Sequence, residues 1–148
     1  MKKVASMLLV FCLFSIGHAF AGYGKAIIPH MSANTATDSI NLYWISNITE
    51  HDIKVTITFY DQDGNALTSG VSYTNFINSN ADIAAGKTGL STVDTSTWKY
   101  GYGVIEWENK GSDEDVVALV AHGFFDEKDG SSNPQGFYAI SINAGMPF

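Results

Sequence analysis

Ile53, Val55, Ile57 and Phe59 alternate with Lys54, Thr56, Thr58 and Tyr60. This strict period of two, carried by β-branched and aromatic residues, constrains the chain more than any other stretch. It predicts a strand with one face on a core and the other toward water. Asp61-Gln62-Asp63-Gly64-Asn65 follows. It reverses the chain, because Gly64 takes a positive φ at little cost and the Asp side chains cap turn N–H groups. One strand cannot hide its own apolar face. The rest of the chain must therefore supply edge partners and a second layer.

The remaining segments fit that demand. Residues 22–29 read as a short strand ended by Pro29, at an edge because proline cannot donate to a ladder. Residues 39–47 form a second strand, with Ile40, Leu42 and Trp44 on one face and Tyr43 and Ile45 on the other. Its short link to the 53–60 strand predicts an antiparallel hairpin. Residues 71–77 give a weaker strand, 78–87 a loop, and 88–98 at most a short edge strand. Residues 101–109 mix aromatic and charged positions on one strand. Residues 116–125 are apolar on both faces, as in a central strand. Residues 136–143 form the last strand and 144–148 a tail. Past residue 21 no stretch sustains a 3.6-residue period. The expectation is an all-β, antiparallel two-layer sandwich, or a flattened barrel, of about seven or eight strands.

The N-terminus has a different grammar. Lys2 and Lys3 precede an apolar run over 4–16, and Ala19-Phe20-Ala21 places small residues for cleavage. This is the pattern of a secretory signal peptide, too short to span a membrane. It predicts cleavage near Ala21, a single mature domain over 22–148, and a secreted or periplasmic location without a membrane anchor. The only cysteine, Cys12, lies inside this leader. An exported domain without disulfides rests on its core alone. Beyond the leader, six lysines face 15 acids and there is no arginine, a charge of −9. That balance argues against nucleic acid and against anionic lipid.

No catalytic or metal constellation emerges from the residue pattern. Asp61 to Asn65 resembles part of a calcium loop, but Gly70 stands where the closing Glu belongs, so a hairpin turn is expected. His30, His51 and His122 lie on separate segments without ligand spacing. Glu106 and Glu108 share one strand face with Trp107 opposite, which reads as a solvated face. Asn47-Ile48-Thr49 fits a glycosylation acceptor, yet an Asn at a strand end explains it equally. The aromatics carry more information. Trp98, Tyr100 and Tyr102, with Trp107, are candidate ligand-binding residues, able to form a stacking platform for sugar rings or a partner surface. No cofactor is expected.

Pro29-His30, Ser46-Asn47-Ile48-Thr49 and the strand and turn from Val55 to Gly64 together resemble a loose group of bacterial exported β-sandwich proteins. With the late apolar stretch 116–120, the layout is also similar to the sensory-rhodopsin-transducer-like sandwich family. The resemblance implies a small β-sandwich that self-associates. It carries no active-site residues. That family is cytoplasmic, so a transducer role does not transfer to a chain with an export leader. The functional expectation is a non-enzymatic binding or structural module of the bacterial envelope or extracellular space, self-associating through a sheet edge or an aromatic face. The alternatives are a carbohydrate-binding module using the surface aromatics, or a pilin-like or matrix subunit assembling by strand exchange.

Overall fold

The computed structural model describes residues 22–129, 131 and 133–148, so the leader and its cleavage point lie outside the described residues. Nine strands run in order: β1 (Tyr23–Ala33), β2 (Ile40–Asn47), β3 (Ile53–Tyr60), β4 (Val71–Thr74), β5 (Asp82–Ile83), β6 (Thr88–Val93), β7 (Lys99–Glu108), β8 (Leu119–Lys128) and β9 (Pro134–Ser141). They pair into two antiparallel sheets, β1-β7-β3-β5 and β4-β6-β2-β8-β9, which do not close into a barrel. This is the expected all-β sandwich. The strand beyond the expected count is β5, a two-residue pairing of Asp82 and Ile83 with Lys54 and Ile53 inside the presumed loop.

Alternation decides what each strand buries. β3 turns Ile53, Val55 and Phe59 inward. β7 turns in Ile105 and Trp107, and β8 turns in Leu119, Ala121 and Phe125. These residues join one core cluster with Tyr43, Ile45 and Met31. The Tyr43 ring crosses the interior to Phe59, with centroids 5.3 Å apart. Gly123 makes that crossing possible: a Cβ there would come within 2.7 Å of the Tyr43 ring. The hidden Tyr43 hydroxyl donates to the His30 carbonyl at 2.7 Å, and burial holds its pKa well above the ordinary tyrosine value.

Five sequence expectations change. β2 and β3 are not a hairpin: β2 pairs with β6 and β8, whereas β3 pairs with β5 and β7. The link over 48–52 crosses between the sheets, because buried Asn47 organises it. Its Nδ2 donates to the carbonyls of His51 (2.7 Å) and Ile83 (3.0 Å), and its Oδ1 accepts from the Thr49 N–H and hydroxyl (both 2.9 Å). The same engagement argues against this Asn as a glycosylation acceptor in the folded chain. Pro29 does not end β1. The strand is indeed an edge, but it passes through a register shift between Ile28 and Met31 and continues to Ala33. Such a bulge absorbs a residue that cannot donate. β6 is interior, between β4 and β2, and its inward Gly89 leaves room for the Phe76 ring. The central strand β8 starts at Leu119, leaving Val116 and Val117 exposed outside it. The presumed tail folds back: Phe148 N–H donates to the Leu119 carbonyl at 2.8 Å, and its ring packs on the core.

Candidate functional site

The acidic turn after β3 is a plain turn. Gly64 adopts φ 79°. Asp61 Oδ1 accepts from the N–H groups of Asp63 (3.1 Å) and Asn65 (2.9 Å), and Oδ2 takes Lys99 Nζ at 2.9 Å. With both oxygens committed to the fold, the Lys99 hydrogen bond and the Asn65 amide hold its pKa below the usual carboxylate range. At the other end of β7, Lys110 Nζ lies 2.7 Å from buried Asp82 Oδ2. Burial works to raise the Asp82 pKa, but the hydrogen bonds from Asn78 and Lys110 outweigh it and leave it lowered. Both ends of β7 are thereby clipped to neighbouring segments. Among the described residues no group of three His, Cys, Asp or Glu is placed to hold a metal ion.

The histidines stay apart. His30 sets its ring edge against Phe125, 5.7 Å between centroids. His122 stacks on Trp44 at 5.2 Å. His51 Nδ1 sits 3.1 Å from Asp115 Oδ2 and Nε2 sits 3.8 Å from Asp113 Oδ1. The Asp115 hydrogen bond, then the Asp113 charge, raise the His51 pKa. Glu106 and Glu108 face outward and pair with Lys25 and Lys54.

Three of the four aromatics singled out in the sequence do come together. Trp98 (64% exposed), Tyr100 (48%) and Tyr102 (41%) lie along the outer side of β7. Tyr60, which pattern reading did not include, joins them across the ladder from Tyr102. Trp107 does not: it is 2% exposed and belongs to the core, because its odd-numbered position on β7 faces inward. The rings form no coplanar platform. Tyr60 and Tyr102 stack on each other 5.0 Å apart and 18° from parallel, while Trp98 and Tyr100 are tilted by 43°. Trp98 Nε1 donates to Ser32 Oγ at 3.1 Å, which turns the indole toward β1. There it borders a groove of about 330 Å³ between the β1 bulge and the end of β8.

The second surface is the outer face of the five-stranded sheet. β2 hides Asn41, Tyr43, Ile45 and Asn47, and turns Ile40, Leu42 and Trp44 outward. The more apolar half of this strand therefore lies outside. Across the ladder, Trp44 faces His122 on one side and Leu90 on the other, and Leu42 faces Phe124. Phe124 stacks with Phe137 of β9 at 5.7 Å, and Phe137 is 57% exposed. The sequence showed the two faces of β2 but not which was inward. Tyr43 settled that through its contact with β3.

The first strand, meanwhile, is paired along β7 from Tyr23 onward, so no strand-deficient groove with an unpaired N-terminal segment is present among the described residues. No helix of the described residues is long and apolar enough to cross a membrane. Neither a family model, nor a curated protein, nor a solved structure matches the chain.

Proposed function

We propose that this chain is a non-enzymatic, exported β-sandwich that acts as a binding or structural module of the bacterial envelope or extracellular space, and that it self-associates through the outer face of its five-stranded sheet. One observation carries this reading: half-buried Ile40, Leu42, Trp44 and Phe124 and exposed Phe137 form an apolar band on a face that no second layer covers among the described residues. An antiparallel sheet of this kind ordinarily turns polar residues to water. Contiguous exposed apolar patches are interaction sites. A second copy is the occupant that fits. Homodimer interfaces are the more apolar and charge-depleted class, and among the described residues the charge paired across the ladder from this band is Asp126, itself 3.7 Å from Lys128. Two such faces also pack as sandwich sheets do, with strands roughly aligned. The leader pattern supports export.

Size-exclusion chromatography with light scattering on residues 22–148 tests it. The expected result is a mass above the monomer, shifted to the monomer by the pair Trp44→Ser and Phe124→Ser. A clean wild-type monomer at high concentration removes self-association from the proposal.

A further inference from the structure

The groove between the β1 bulge and the end of β8 has a different character from either outer face. Its floor is Phe125, and Trp98 and His30 stand on its rim. Asn34, Glu127 and Lys128 stand in the wall beside the hydroxyls of Ser32, Thr37 and Ser39. Asn34 spends its Oδ1 on the Ala36 N–H, which leaves the amide NH₂ available. Among the described residues, neither the His30 ring nitrogens nor the Glu127 carboxylate has a hydrogen-bond partner. Uncommitted donors and acceptors thus converge on one concave space bounded by an indole and a phenyl ring.

From this geometry we propose that the groove binds a neutral saccharide, with Trp98 as the stacking wall and His30, Asn34 and Glu127 as hydrogen-bonding partners. The mixed polarity selects the ligand class. Glu127 and Lys128 side by side leave the lining with no net charge to draw in an anion or a cation. Sugar hydroxyls both donate and accept, so they satisfy an amide NH₂ and a carboxylate together. The C–H face of a sugar ring is apolar and suits an indole, whose polar N–H is already held by Ser32. The volume, about 330 Å³, is at the small end of ligand sites, enough for one terminal sugar unit and part of the next. This site opens at the end of the sandwich, between β1 of one sheet and β8 of the other, and none of Leu42, Trp44, Phe124 and Phe137 of the self-association face lines it.

The test is titration of residues 22–148 with neutral oligosaccharides built from glucose, galactose, mannose or N-acetylglucosamine, read by the indole N–H signals in ¹H–¹⁵N spectra. The three tryptophans give three reporters. The expected result is a saturable shift of the Trp98 indole while the buried Trp107 indole stays still. Trp98→Ala and Glu127→Gln each weaken binding about tenfold or more. Tyr102→Ala leaves it unchanged, as does the Trp44→Ser and Phe124→Ser pair. Loss of binding in Tyr102→Ala with retention in Glu127→Gln would move the site onto the β7 row and overturn the assignment. So would a Trp98 shift with inorganic phosphate alone and none with any sugar, and so would no shift with any sugar at millimolar concentration.

Discussion

Tyr43 shows how one buried side chain can hold two sheets in register. It reaches from β2 across the core to the carbonyl of His30, inside the β1 bulge. Tyr43→Phe keeps the ring and strands that carbonyl without its donor. The expected cost is about 1–2 kcal/mol in denaturant unfolding. An unchanged midpoint would mean the bulge finds another donor. His51 gives a pH signature. Its folded pKa is raised by Asp115 and Asp113, so the folded state binds the proton more tightly than the unfolded chain. The resulting stabilisation is complete below about pH 6.5 and is lost as pH rises through the raised folded value. Thermal unfolding from about pH 5.5 to 9 checks this: the Tm advantage of wild type over His51→Ala shrinks across that window, and a pH-independent difference would contradict it.

Elements in this fold are placed by their links as much as by their own sequence. The short connection after β2 looks like a hairpin turn, yet the Asn47 side chain satisfies backbone groups on both sides of a crossover. Asn47→Ala leaves the buried Ile83 carbonyl and the Thr49 N–H unpaired and is expected to cost about 2–3 kcal/mol. Chemical denaturation measures it, and a cost below about 0.5 kcal/mol would show that water replaces the amide. The turn after β9 holds Asn143, Ala144 and Gly145 all at positive φ, with Ala144 at 53°. Only glycine accepts that region freely. Ala144→Gly is therefore expected to raise stability by about 0.5–1 kcal/mol, visible as a higher Tm.

For the whole molecule, the two buried acids that clip the ends of β7 govern behaviour in acid. Asp61 and Asp82 both have lowered folded pKa values. Their stabilisation is present above about pH 4 and is lost as pH falls through the folded values. Acid unfolding should therefore steepen below about pH 4, and Lys99→Met with Lys110→Met should flatten it. An identical acid transition in that double variant would place the proton uptake elsewhere.

Alternating side chains dictated that 53–60 would be a strand, an unbroken apolar run dictated the same for the late stretch, and together they required two layers. Period two is a local property of the backbone, so it survives without knowledge of any partner. The Asp61 turn was legible from Gly64 and the capping Asp side chains, which are equally local, whereas the exposure of Trp98, Tyr100 and Tyr102 was offered by the sequence only as one option beside burial. Sheet membership was not legible. Which strands meet across the core depends on Asn47 capping a crossover and on Tyr43 finding Gly123 and Phe59, contacts between residues far apart in the chain. Those same long-range contacts sent Trp107 inward and Ile40, Leu42 and Trp44 outward. Which face of a strand meets solvent is decided by what packs against it, and only the assembled sandwich contains that information.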